Sequence, residues 1–224
     1  MQVLLFLHRL YFFVILNIRN KKTYKMKKII FLFIISSLIS IKGIGLTLSP
    51  ETEVSILTCA PGNELYSLFG HTAIRINDPR HQIDRVYNYG TFDFSTPHFY
   101  LKYARGLLPY QLTVQKFSHF IYNYQLEERT VYAQTIRLDS LEKQRIFDLL
   151  EENLLPQNRY YLYNFLFDNC TTRSRDILLK SLPDSVAWNM PDVNKNFWNL
   201  LDEYLQASPW VQWGIHTIPG QRGN

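Results

Sequence analysis

Cys170 lies in "LFDNCTTRSRD", residues 166–176, with Asp168 and Asn169 before it and Thr171, Thr172, Arg173 and Arg175 after it. Asp and Asn are favoured helix N-caps, so either one places the thiol in the first turn of a helix. There the aligned peptide dipoles and unpaired N–H groups favour a thiolate, lowering the free pKa of about 8.5. The same N–H groups can hold the oxyanion of an acyl intermediate, at roughly 3–4 kcal/mol per donor. Such a thiol becomes a nucleophile when a base stands within hydrogen-bond reach. Among six histidines, His71 is the candidate base. It follows "LFG" and opens the apolar run "HTAIRIND", so a strand would hold it, and Gly70 lets other backbone approach closely. His8 falls near the N-terminus. His81 sits in a turn, His98 and His119 on helices and His216 in the tail, where surface or packing roles suffice. Alternation in "RVYNYGTF" offers Asn88 as the group that orients the imidazole, with Asp93 in reserve. Spacing alone leaves other readings open. His71 and Cys170 can be ordinary core residues, or Cys170 can pair with Cys59, the other cysteine, if their Cα atoms come within about 7 Å.

The elements that must position these groups follow from periodicity and punctuation. Residues 54–62 read as a strand closed by Pro61-Gly62, and 64–70 as a helical turn ending at Gly70. Residues 71–78 and 85–92 read as neighbouring antiparallel strands. A short helix is expected over 96–106, with Thr96 as cap, Pro97 at its first position and Gly106 as stop. Strands are expected at 110–114 and 129–138, with a helix over 115–125 between them. The firmest helix spans 139–154, where Asp139 and Glu142 form an acidic capping box and Leu141, Arg145, Ile146, Leu149 and Leu150 give a mostly apolar face. Another helix runs from near Cys170 to Pro183. The Tyr-rich run 160–167 reads as a buried strand or helix entering the site. Residues 188–224 hold all four tryptophans and show no evident closing element. Intermingled strands and helices make the class α+β.

Composition narrows the function. The 224 residues, 46% hydrophobic, are enough for one main domain with a real core. The net charge of +5 is misleading, because residues 1–45 hold eight Lys and Arg and no Asp or Glu. Without them 16 basic residues face 19 acidic ones, a net of −3, so nothing argues for nucleic-acid binding. "MKKIIFLFIISSLISIKGIG" has the order of a secretory signal: two lysines, a mostly apolar run from Ile29 to Ile41, then Gly43 and Gly45. Residues 26–45 therefore read as a signal peptide starting at Met26, and 1–25 as an upstream extension; an uncleaved anchor is the rival reading. Either way the globular part is exported. No His, Cys or carboxylate pair has metal-ligand spacing, and no cofactor is expected.

With these residues in view, "LYSLFGHTAIRI", "YNYGTFDF", "YARGLLPY" and "FDNCTTRSRDIL" resemble, in order, the Lnb-type lipoprotein N-acyltransferase family, specifically its N-terminal periplasmic domain. The resemblance runs from about Val54 to Leu182. It implies a circularly permuted papain-like (NlpC-type) thiol fold over 46–187, an antiparallel sheet packed against the helix that carries the cysteine. It implies Cys170 as nucleophile, His71 as base and a polar third residue on the next strand, a role assigned to Asn88. Tyr66, Asn169 and Arg173 are candidates for substrate contacts. The implied reaction moves an acyl chain from a membrane phospholipid to the N-terminal amine of a lipoprotein, through a Cys thioester. The implied location is periplasmic, at a membrane surface. The family carries a membrane-spanning region after this domain, so two expectations stand: the Trp-rich tail is truncated relative to the family, or the chain is a stand-alone member whose acyl donor or reaction differs. The same residue pair would also serve a papain-like peptidase or cell-wall amidase, and a non-enzymatic envelope domain is the third reading.

Overall fold

Alternating apolar residues build six strands: β1 (Glu53–Cys59), β2 (His71–Asp78), β3 (Ile83–Thr91), β4 (Pro109–Lys116), β5 (Val131–Thr135) and β6 (Tyr160–Leu162). In the computed structural model they form one antiparallel sheet in the order β5-β1-β2-β3-β4-β6. Six helices accompany them among the described residues: α1 (Phe99–Ala104), α2 (Phe117–Leu126), α3 (Ser140–Leu154), α4 (Cys170–Ser181), α5 (Phe197–Leu205) and α6 (Pro209–Thr217). The α+β class expected from the sequence is the observed one. The structure describes residues 45–182, 194–206 and 208–217. The chain divides into two units, Met1–Leu46 and Thr47–Asn224, and the sheet belongs to the second. The upstream extension, nearly all of the signal peptide and Trp188 lie outside the described residues. Among the described residues no helix is long and apolar enough to cross a membrane.

The two faces of the sheet are covered separately, as the period of two requires. Val54, Ile74, Ile76, Tyr87 and Leu112 meet Ile146, Phe147 and Leu150 of α3 and Ile177 of α4. Leu57, Cys59, Ala73 and Val86 point to the other face and meet Phe120 of α2. The α3 start is the expected capping box: Glu142 N donates to Asp139 Oδ1 at 2.8 Å, and Asp139 N donates to Glu142 Oε2 at 2.9 Å. Its buried face is Ile146, Phe147 and Leu150, whereas Leu141 is exposed and takes no part in the core. At the far end of β2, the buried carboxylate of Asp78 accepts from Ser49 N at 2.9 Å and Ser49 Oγ at 2.7 Å, with the His81 ring 2.7 Å away. His81 thus has a turn-building role.

Four expectations change. Helix α1 starts at Phe99, not near Thr96, because Asp93 builds a turn first: its side chain accepts from Ser95 N and its carbonyl from Thr96 N. His98 occupies the cap in a left-handed conformation, and Gly106 follows the helix end as expected. Strand β5 is five residues long, with Ile136–Leu138 outside it. The run 160–167 is not buried throughout, since Tyr160, Leu162 and Phe167 are exposed while Tyr161 and Tyr163 turn inward. The tail does contain closing elements. In α5, Leu205 is fully buried, and the Tyr204 ring lies 5.9 Å from that of Phe69, which in turn sits 4.7 Å from Phe165.

Candidate functional site

Three chain segments converge where β2 begins. Gly70 makes that start possible: its φ is +73°, and a Cβ there would stand 2.5 Å from the Cys59 carbonyl oxygen. Only glycine lets the loop turn onto β1 and present His71 as the first strand residue. Continuing the β2–β3 register, in which Ile74 faces Tyr87, puts Asn88 opposite Ala73 and diagonally beside His71 on the same face. His71 Nε2 lies 3.2 Å from Asn88 Oδ1. With the Asn88 oxygen in that place the pair is met by an Nε2–H donor, the tautomer that would leave Nδ1 free to act as a base. Asn88 is buried and its Nδ2 has no partner among the described residues.

The thiol arrives from the opposite side of the sheet. Asn169 caps α4, its Oδ1 accepting from Thr171 N and Thr172 N, both at 2.9 Å, and its Nδ2 donating to Phe165 O at 2.8 Å. Thr172 Oγ1 accepts from Asn169 N at 2.8 Å, completing the capping box. Cys170 is therefore the first residue of the helix, as the sequence predicts, and Asn169 rather than Asp168 is the cap. The helix start is pinned to β2 by a 2.9 Å hydrogen bond between Thr171 Oγ1 and Thr72 Oγ1. Burial pushes the Cys170 thiol up, but a hydrogen bond and the charge of the His71 imidazole pull it down, helped by the Thr72 amide and the Thr171 hydroxyl. The balance falls below the ordinary thiol value. The structure thus brings a half-buried thiol of lowered pKa, an imidazole and the start of a helix together at one place.

The other candidates are sorted by the same geometry. Asp93 is exposed and bound to its own turn, so Asn88 and not the reserve carboxylate meets His71. The amide of Asn169 is committed to the helix cap, and its part is to place the thiol. Arg173 grips Asp168 with Nε and Nη2 at 2.6 and 2.8 Å and stacks over the Tyr161 ring at 3.5 Å. Tyr66 is exposed, its ring edge-on to Phe92 at 6.1 Å. Cys59 is a buried, free thiol on the α2 face, and Cys170 is also free, so the disulfide reading is not what the structure holds.

Three neighbours of the thiol escaped sequence reasoning. Gly90 has φ +83° at the irregularity where the β3–β4 register shifts, and a Cβ on it would stand 3.6 Å from Cys170 Cβ and 3.5 Å from the Tyr163 ring. A glycine inside the strand pattern "YNYGTF" was the available signal for such a close approach. Tyr161 Oη would lie 3.9 Å from that same Cβ position, and the hydroxyl is buried with the Gly90 backbone beside its oxygen and no acceptor for its proton among the described residues. Burial pushes its pKa up, so it stays protonated and keeps a proton to donate. Tyr163 closes this side with its ring stacked on Tyr110 at 4.4 Å. No periodicity distinguishes these two tyrosines from their exposed neighbours Tyr160 and Leu162.

Comparison with known proteins agrees with this arrangement of motifs. Residues 47–202 match the family model described as the Lnb N-terminal periplasmic domain. The match starts at the boundary between the two units and extends through most of α5, beyond the segment in which the sequence motifs lie. No curated protein and no solved structure matches the chain.

Proposed function

Because this chain belongs to the family of the Lnb N-terminal periplasmic domain, and is thus an exported, periplasmic protein, we propose that it is a thiol acyltransferase of the cell envelope. The observation that carries the reading is the convergence of the His71 imidazole, the Thr72 amide and the α4 start on one half-buried, acid-shifted thiol. The order of a histidine strand before a cysteine helix fits a circularly permuted papain-like site. In the first half-reaction His71 Nδ1 takes the Cys170 proton, and the thiolate attacks the ester carbonyl of a phospholipid. The oxyanion of the tetrahedral intermediate is held by the N–H of Cys170, which as first helical residue has no intrahelical acceptor, and by the Tyr161 hydroxyl. The alcohol of the lysolipid leaves with the proton from His71, and a thioester remains. In the second half the α-amine of a lipoprotein's N-terminal cysteine attacks that thioester and gives its proton to His71. An amide forms, and the sulfur leaves as thiolate. Asn88 holds the imidazole in one tautomer and orientation throughout. Arg173, stacked on Tyr161, steadies the phenol and lends positive charge to the region.

The same Cys-His-Asn order would also cleave an amide if water replaced the amine, which makes a peptidase or cell-wall amidase the second reading. One assay separates the two. The protein is incubated with phospholipid vesicles and a diacylated lipopeptide, and products are read by mass spectrometry. A gain of one acyl chain on the lipopeptide amine supports acyl transfer. Peptide cleavage without that gain overturns it.

A further inference from the structure

The end of β3 and helix α1 carry a surface that the thiol chemistry does not by itself require. Phe92, Phe94 and Phe99 form a ring cluster, with centroids 5.1 Å apart for Phe92–Phe94 and 4.9 Å for Phe94–Phe99. The outer members of this region are uncovered: Phe94 is 64% exposed, Leu101 57%, Tyr66 55% and Leu107 48%. Single exposed apolar residues are ordinary on a protein surface, whereas a run of touching rings with flanking leucines marks a contact surface. Its charge is equally particular. From residue 94 to residue 126 there is no Asp or Glu, and Lys102 and Arg105 lie among the exposed apolar residues. The nearest preceding carboxylate, Asp93, is tied into its own turn. This cationic stretch sits in a chain that is net negative beyond residue 45.

Aromatic and leucine side chains interleaved with Lys and Arg suit the headgroup zone of a bilayer, where rings enter the interface and cations meet anionic lipids. A second copy of the chain would bring Lys102 and Arg105 against their own equivalents, which disfavours self-association through this face. A chain of ring contacts joins the surface to the surroundings of the thiol. Phe92 packs on Tyr110 at 5.2 Å, Tyr110 stacks on Tyr163 at 4.4 Å, and Tyr163 borders Gly90 beside Cys170. We propose that the β3 end and α1 form a docking face for anionic phospholipid bilayers, linked to the surroundings of Cys170 by packed rings. The choice of lipid as partner rests on the acyl-transfer reading; the position of the face rests on exposure and charge.

Hydrogen exchange on the full chain tests it, because the readout is local and is not confused by any other segment that binds membrane. Phosphatidylcholine vesicles with and without phosphatidylglycerol are the probes. Amides of residues 94–107 are expected to exchange about ten-fold more slowly with the anionic vesicles than with the neutral ones. A double variant, Lys102→Glu with Arg105→Glu, is expected to lose that protection while amides in α3 keep theirs, which shows that the fold is intact. A second variant, Leu101→Ser, is expected to reduce protection on both kinds of vesicle. No slowing over 94–107, equal slowing on neutral vesicles, or protection that appears without lipid as protein concentration rises would each overturn the proposal. Failure here leaves the lipopeptide assay free to succeed, so the two readings fall separately.

Discussion

Cys59 and Cys170 are the two thiols of one domain, both largely withdrawn from water, and their acidities move in opposite directions. Cys59 stands at the end of β1, paired in register with His71 itself. Burial pushes its thiol up to about 11, and the nearby Tyr124 hydroxyl and Arg129 charge only partly offset that effect. Cys170 suffers the same burial penalty but ends below its ordinary value, because an imidazole, a backbone amide and a hydroxyl all face the sulfur. Standing beside His71 on the sheet ladder does not lower the Cys59 pKa, whereas the groups that face Cys170 lower its own. A helix start supplies the geometry for aiming donors at the sulfur.

The contrast is broken most completely by exchanging the thiols' roles. Cys170→Ser is expected to lower acyl transfer by roughly 10⁴-fold or more, whereas Cys59→Ala stays within about two-fold; lipopeptide mass gain measures both. His71→Ala is expected to cost roughly 10³-fold, and it should also move the pH profile of Cys170 alkylation upward. With the imidazole gone, burial acts with much less opposition, so alkylation near neutral pH slows and its inflection passes above the ordinary thiol value.

Tyr161→Phe removes one oxygen from a buried ring. Acylation of Cys170 by an activated ester, which builds an oxyanion, is expected to fall about 10²-fold, while alkylation by iodoacetamide, which builds none, stays unchanged. Equal effects on the two reagents would remove the hydroxyl from the mechanism. Asn88→Ala should cost roughly 10–10²-fold in turnover, since the base remains but its orientation is lost.

The smallest effect concerns Cys59. Its folded pKa is raised, so between about 9 and 11 the unfolded chain gives up a proton that the folded chain keeps. That contribution to stability is complete below the unfolded value and is lost as pH rises through the window. Cys59→Ala is expected to flatten the pH dependence of chemical denaturation there, and to cost about 1 kcal/mol at neutral pH from the small cavity left beside Phe120. Unchanged curvature would mean that Tyr124, whose pKa is also raised by burial, carries the dependence alone.

Much of the scaffold was legible because local rules and tertiary contacts agree. The Asp139–Glu142 box, the alternation in β2 and β3 and the Asn-capped start of α4 are short-range patterns whose energies are set within a few residues. The start of α1 was misplaced because Thr96-Pro97 resembles a helix start, while the turn built by Asp93 competes for the same backbone. Helices α5 and α6 were missed because the amphipathic face of a short terminal helix is weak evidence until a partner such as Phe69 is known to lie opposite.

That Cys170 opens a helix and His71 opens a strand follows from local residue chemistry, since a cap residue and a glycine act on their own neighbours. Alternation on the next strand also offered Asn88 to the imidazole, but that Thr72 and Thr171 clasp the helix start to the strand, and that Gly90 and Tyr161 crowd the thiol, depends on the folded arrangement alone. Strand register and the packing of α4 across the sheet bring together residues up to about a hundred positions apart, and pairing energy of that kind leaves no periodic trace in the chain.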